Sequence, residues 1–550
     1  MSRPRPSEDN RPVLVLGPNP TPNGGMHLGH MAGPYLAGDV YARYQRARGR
    51  DVIFTTGTDD SQTYTWATAR RQYVMPEQLA RTSTELIRDA LNVMGISVDG
   101  FGPFDDAYRE TVLNFFRDLH AKGVFELRTV EMTYAMRSGE FMVEGLVEGD
   151  CPVCLSSSRG GLCETCCAPN NYNELLDPHS TINADDPTDG LTTKSARVLV
   201  LPLEKWRDRL TAYHEAHMGS WRPHLQQMIR EVLARPLPDM PVTYPLEWGM
   251  RAPFPETPGQ VLNAWLELMP AGMFTTAYAA AQLGRTTEPG ELWRVEENRR
   301  MVHFLGFDNA FFFCFPHIAL MMAYGGGQEY ILPESIINNE FYELESDKFS
   351  TSKGNVLSPQ DVLREVPRDA LRIYLALTAP EYQRTTFSRA GLDKVANGRL
   401  IGPWNRLAGL LAKQVANAGN GAAVPVSETG RHRAAAILER LDAFFEMPTF
   451  CLSRGADTIL VQIDRLARRA FEMDGSRRDD VEPFEWGDVF LETKALLAAA
   501  APILIDLSAA ARQAGGFDGV LAPGAFDVTE VKRFTPPQIP AEGGDATGGP

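Results

Sequence analysis

The sequence predicts an α/β fold: a parallel-sheet core interrupted by a small insertion and followed by an α-helical bundle. Three observations predict it. Two short apolar runs, residues 13–17 and 51–55, flank a helical pattern at 28–48, which reads as strand, helix and parallel strand. Five of the seven cysteines crowd into 151–167. Beyond Ser358 the apolar residues recur almost entirely at helical spacing.

The first strand runs into a loop, Pro18-Asn19-Pro20-Thr21-Pro22-Asn23-Gly24-Gly25-Met26, that cannot be regular. The helix after it carries His27 and His30 in its first turn. Unpaired N–H groups and the positive end of the helix dipole face that loop, which suits a phosphate. Two imidazoles three residues apart can add donors, although the same H-x-x-H also fits half of a metal site or two surface histidines. The second strand ends in Gly57-Thr58-Asp59-Asp60-Ser61. Ligands of βαβ units sit beyond the carboxyl ends of their strands, so Asp59 and Asp60 face the crevice of His27 and His30. A carboxylate there could hold an ammonium group, or merely cap the next helix.

A chain of 550 residues exceeds one core and predicts three or four units. Its 43% hydrophobic and 23% charged content is that of a soluble globular protein. A formal net charge of −16 argues against indiscriminate binding of nucleic acid but leaves room for a local basic groove. The polar start has no signal-peptide core, and the longest apolar stretch, 310–324, is too short to span a bilayer. Both point to the cytoplasm and away from the membrane.

Amphipathic helices are predicted at 76–94 and 105–122. Cys151-Pro152-Val153-Cys154 and Cys163-Glu164-Thr165-Cys166 then form two C-x-x-C knuckles eight residues apart, which suit a structural Zn²⁺ with no site left for water. Cys167 competes with Cys166 on position alone. A helix follows at 203–217, and residues 259–267, 301–308 and 331–337 read as strands, with 310–324 as a buried strand and helix. The loop Asp347-Lys348-Phe349-Ser350-Thr351-Ser352-Lys353-Gly354-Asn355 combines cations with small hydroxyls, a composition that suits polyphosphate. Helices are expected at 359–365, 369–377, 392–413, 433–445, 456–472 and 489–512, the last interrupted at Pro502. Residues 535–550 and 1–11 are expected to be disordered.

Taken together, His27-Leu28-Gly29-His30 and Lys348-Phe349-Ser350-Thr351-Ser352 resemble the two signature loops of class I aminoacyl-tRNA synthetases, and among them those of the methionyl-tRNA synthetases. The resemblance continues through Gly57-Thr58-Asp59, the cysteine knuckles, Trp221-Arg222-Pro223, Glu247-Trp248-Gly249, Ser358-Pro359 and Asp369-Ala370-Leu371-Arg372. It implies a Rossmann-like catalytic domain split into 12–122 and 259–378, a zinc-bearing connective insertion at 123–258, and an anticodon-binding-like bundle at 379–520.

The resemblance also implies roles. His27, His30, Lys348 and Lys353 would serve the reacting phosphates. Gly29, Gly306, Asp308, Ser350 and Ser352 would bind ATP with its Mg²⁺. Asp59 would hold the amino-acid ammonium, with Trp265, Thr21, Met273 and Phe313 around the side chain. Three departures stand out. Thr351 occupies a position where the family has a lysine, and Lys353 is the candidate to supply that charge. Thr21, Met273 and Phe313 stand where a methionine pocket has two tyrosines and a histidine. Pro403, after Asn397, should break or kink the helix that reads the anticodon. The expected function is activation of methionine or a similar amino acid as its adenylate and transfer to tRNA. The alternative is transfer to a non-tRNA acceptor, such as a carrier protein, without anticodon reading.

Overall fold

The computed structural model describes residues 9–183, 190–344, 347–348 by backbone, 357–476, 481–519, 521 and 524–542. Five parallel strands form the central sheet: β1 (Val13–Leu16), β2 (Val52–Thr56), β3 (Gly100–Phe101), β4 (Arg300–Gly306) and β5 (Ser335–Asn339), in the order β5-β4-β1-β2-β3. Successive side chains alternate between faces, so Val13, Val15, Phe54, Val302 and Phe304 enter one core, while Leu14, Leu16, Ile53, Met301 and Leu305 enter another. Burial on both faces explains why the strands read as unbroken apolar runs. The chain runs from β1 outward to β2 and β3 on one side and later returns to β4 and β5 on the other, and this reversal of strand order beside β1 opens a crevice at the carboxyl ends.

The helix after the first loop comprises Leu28–His30, a π turn at Met31–Tyr35 and Leu36–Ala47. The π turn contains Pro34, whose ring and missing N–H an α-helical ladder would not accept. The helices predicted at 76–94 and 105–122 are present as Pro76–Val93 and Asp106–Ala121, the second capped by Asp105, whose carboxylate accepts from the Tyr108 N–H at 2.9 Å.

Several expectations are corrected. Residues 259–267 are not a strand of the main sheet. Only Val261–Leu262 is extended, paired with Thr243–Tyr244, and Asn263 then caps a helix at Ala264–Gln282 by accepting from the Trp265 N–H at 3.0 Å. That helix is apolar on nearly every side because the core surrounds it, so periodicity cannot distinguish it from a buried strand. For the same reason residues 310–315 are helical, as Ala310–Cys314, ahead of Pro316–Tyr324. The strand expected at 331–337 lies further on, as β5.

The insertion is built on a long antiparallel pair, Glu126–Ala135 with Leu191–Pro202, extended by Asp239–Pro241 and Glu140–Phe141. A smaller three-stranded sheet, Val147–Asp150 with Ser157–Arg159 and Leu176–Ser180, carries the cysteine knuckles.

Helices Glu428–Phe445, Leu452–Gly475 and Pro483–Ala500 form the bundle with Gly402–Ala418. Its core is continuous with one face of the sheet. At the junction, Arg372 and Asp39, both fully buried, pair at 2.6 Å. Arg372 also donates to the carbonyls of Pro502 and Ile503, which the interruption predicted at Pro502 leaves without helical partners. Of the two outcomes expected at Pro403 the helix is not broken: it is distorted into a π turn, Ala396–Ile401, which precedes Pro403 and absorbs the lost hydrogen bond. Residues 535–542 are not loose. Ile539 is buried and exchanges hydrogen bonds with the Asn405 side chain, while the Trp404 indole donates to the Pro537 carbonyl at 2.8 Å. Among the described residues no helix is long and apolar enough to cross a membrane.

Candidate active site

A cleft of about 320 Å³ opens at the carboxyl ends of β1, β4 and β5. Its floor is the loop after β1, fixed at its start by hydrogen bonds from the Tyr35 and Thr56 hydroxyls to the Pro18 carbonyl, each at 2.6 Å. The Asp59 N–H donates to the Pro20 carbonyl at 3.1 Å, locking this loop to the one after β2. His27, Gly29, His30, Thr21, Asp59, Trp265, Gly306 and Asp308 all line the cleft, so the structure brings most of the expected residues together.

The two histidines cap their own helix. His27 Nδ1 accepts from the Gly29 N–H at 3.1 Å, and His30 Nδ1 accepts from the His27 N–H at 3.2 Å. An imidazole whose Nδ1 accepts carries its proton on Nε2, so both rings are fixed as Nε2–H donors. Burial drops the His30 pKa to about 4, which keeps that ring neutral near pH 7. With both Nδ1 atoms engaged and the rings 3.9 Å apart, the pair suits an anion better than a metal.

Asp59 is 2% exposed. Its Oδ2 accepts from Gln62 at 2.7 Å, and Oδ1 has no hydrogen-bond partner among the described residues. Burial, reinforced by the Glu267 carboxyl, raises its pKa well above the usual carboxylate range. A cation beside it would reverse that penalty, which makes this corner a place for an ammonium group.

Glu267, on the same helix as Trp265, is fully buried, with neither carboxyl oxygen hydrogen-bonded among the described residues. Burial pushes its pKa up to about 8. A carboxyl whose folded pKa exceeds its unfolded value favours the fold fully below about pH 4.5, and loses that contribution as pH rises through about 8. The loss by pH 8 is on the order of 4 kcal/mol. Glu267→Gln should therefore shrink the fall in thermal midpoint between pH 5 and pH 8.5, and an unchanged fall would exclude Glu267 as its source.

Gly306 and Asp308 form the turn that leaves β4. A Cβ on residue 306 would sit 2.3 Å from Asp308 Oδ1, so only glycine allows that carboxylate to fold back over the turn. Phe307 holds the turn from behind: Cys167 Sγ donates to its carbonyl at 3.0 Å, tying the cysteine-bearing insertion to the cleft. Leu162 and Glu164, from that insertion, form part of the cleft wall.

Cys151, Cys154, Cys163 and Cys166 place their sulfurs within 4.8 Å of one another, with Cys151–Cys166 at 3.8 Å and Cys154–Cys163 at 3.6 Å. Four thiolates around zinc, with Zn–S near 2.3 Å, stand about 3.8 Å apart, so the donor set fits tetrahedral Zn²⁺. Cys167 is outside the group. Among the described residues no other His, Cys, Asp or Glu cluster has metal-binding spacing.

Two residues expected around the substrate side chain are placed differently. Met273 faces an outer groove with Phe115 and Tyr324, away from the cleft. On a helix, the position seven residues after Trp265 shares its face and the eighth turns away, so Gly272 points inward instead. Phe313 lines a second, mostly apolar cavity of about 30 Å³ with Gly272, Asn19, His303 and His317. This cavity adjoins the cleft at Asn19, which lines both. A Cβ at Gly272 would lie 3.0 Å from the Trp293 ring, so the indole occupies the space a larger residue would take. Sequence reasoning missed Gly272, His303 and His317; the seven-residue spacing from Trp265 would have found the first.

Lys348 is described by backbone alone, in a short strand, Asp347–Lys348, paired with Tyr342–Leu344. Ser350, Thr351, Ser352 and Lys353 lie outside the described residues. Beyond them, the Leu357 carbonyl accepts from the Leu28 N–H at 3.1 Å, which places Leu357 against the first turn of the histidine helix.

A family model described as tRNA synthetases class I (M) matches residues 13–410. The chain belongs to this family. The chain is 32% identical over 387 residues to the methionine–tRNA ligase of Flavobacterium johnsoniae, covering 70% of this chain and 53% of the relative. It is 30% identical over 476 residues to that of Chlorobium chlorochromatii, covering 83% and 65%. It thus spans about half to two thirds of the length of these curated relatives. A crystal structure of Mycobacterium tuberculosis methionyl-tRNA synthetase bound by methionyl-adenylate shares its fold, with a TM-score of 0.74 at 19% identity, covering 97% of this chain and 99% of that one.

Proposed function

We propose that this chain activates methionine with ATP and transfers it to tRNA. The observation that carries this reading is the cleft itself, where two imidazoles fixed as donors face the same space as a buried Asp59 whose Oδ1 has no hydrogen-bond partner among the described residues. Asp59 takes the amino-acid ammonium. The adenosine lies along Gly306 and Asp308, and the phosphates lie at His27 and His30, with Lys348 and Lys353 as the residues that would add positive charge. The amino-acid carboxylate attacks the α-phosphorus, and pyrophosphate departs towards the neutral Nε2–H donors, which stabilise charge developing on its oxygens. ATP brings Mg²⁺ with its phosphates, where the ion neutralises charge. The terminal hydroxyl of a tRNA then attacks the adenylate carbonyl and releases AMP. Cys151, Cys154, Cys163 and Cys166 would hold Zn²⁺, which closes the knuckle and takes no part in these steps.

The mostly apolar cavity lined by Gly272 and Phe313, which adjoins the cleft at Asn19, supports an apolar side chain, and the relatives that the chain matches are methionine ligases. A non-tRNA acceptor finds no support among them. The test is amino-acid-dependent exchange of pyrophosphate into ATP with each standard amino acid, followed by charging of total tRNA. Exchange and charging with methionine are expected. Exchange with a different amino acid, or exchange without charging, would replace this reading.

A further inference from the structure

Arg222, buried at the entry to the insertion helix Pro223–Leu233, reaches two other elements. Its Nη1 donates to the Asn338 carbonyl and, at 2.6 Å, to Asn339 Oδ1 at the end of β5. Its Nη2 donates to Glu381 Oε1 at 2.8 Å. Glu381 is also buried, and accepts from the backbone N–H groups of Leu452 and Ser453 at 2.8 and 2.9 Å, the opening turn of the long bundle helix Leu452–Gly475. One guanidinium therefore joins the insertion, the sheet and the bundle.

The chemistry of that contact fixes an orientation. A guanidinium has donors only, so the amide oxygen of Asn339 must face it and Nδ2 must face away. Asn339 lines the cleft, and its register partner across the sheet is Gly306. Its Nδ2 lies 3.8 Å from where a Cβ on Gly33 would sit. Asn339 is 2% exposed, and among the described residues Nδ2 has no hydrogen-bond partner. A buried donor left unmade costs free energy that an arriving acceptor recovers.

We infer that Asn339 is a nucleotide-binding residue, donating from Nδ2 to an acceptor atom of ATP, and that Arg222 is the positioning residue that sets its amide. This rests on the cleft being the ATP site. Glu381 shares its carboxylate between Arg222 and the bundle helix, so docking of the bundle supports the same orientation.

The test is calorimetric titration of the full chain with ATP and Mg²⁺, and separately with methionine. Asn339→Ala should bind ATP about tenfold more weakly, the size of one hydrogen bond to a charged ligand, with methionine affinity unchanged. Removing Arg222 alone would strand the Glu381 charge, so the positioning role is tested with Arg222→Met and Glu381→Gln together. That pair should weaken ATP binding severalfold in the parent but add nothing in the Asn339→Ala background. ATP affinity within twofold of the parent in Asn339→Ala would overturn the inference, and a persisting effect of the pair in that background would overturn the positioning role. A parent chain that does not bind ATP would instead refute the reading of the cleft, and this inference with it.

Discussion

Asp59→Asn is expected to raise the KM for the amino acid in pyrophosphate exchange by two to three orders of magnitude, with the KM for ATP little changed. Asparagine keeps the shape and the Gln62 contact, so the fold should hold. The lost quantity is the negative charge that pairs with a desolvated ammonium. Removing one member of a buried ion pair costs about 3–5 kcal/mol, and each 1.4 kcal/mol is tenfold. The parent carboxyl is itself destabilised by burial next to Glu267, so part of the substrate's binding energy goes into ionising it. Its apparent pKa should fall when the amino acid binds. A normal amino-acid KM in Asp59→Asn would remove Asp59 from the site.

His30→Ala is expected to lower kcat for exchange by about two to three orders of magnitude, with smaller effects on either KM. The substitution removes one Nε2–H donor aimed at charge that develops only as pyrophosphate leaves, and such donors contribute on that scale. It also removes the acceptor for the His27 N–H, a capping loss of about 1 kcal/mol that should appear as a modest fall in thermal midpoint. Burial keeps the His30 pKa near 4, so His30 itself should contribute no acid limb to the kcat profile above pH 5. Unchanged kcat in His30→Ala would place the phosphates elsewhere.

The parts of this protein legible in the sequence were those set by local rules. β1 and β2 announced themselves because both faces of each are buried, and the zinc-type knuckles because ligand spacing is short-range chemistry. The 264–282 helix did not, since a segment apolar on every side has lost the periodicity that separates helix from strand. That misreading goes with the choice of Met273 over Gly272, one residue apart and on different faces of the helix. The second cavity was hidden for another reason: Asn19, His303 and His317 meet only through strand register and helix packing. The tail at 535–542 depends on Trp404 and Asn405, more than 130 positions earlier, a contact no composition rule anticipates.

The most direct measurement is recovery of the intermediate. The full chain, incubated with ATP, Mg²⁺, labelled methionine and inorganic pyrophosphatase, then passed over a desalting column, should retain close to one methionyl-adenylate per chain. The same chain carrying Asp59→Asn should retain almost none. No adenylate on the parent chain under saturating substrates, or equal amounts on both, would contradict the assignment of this cleft.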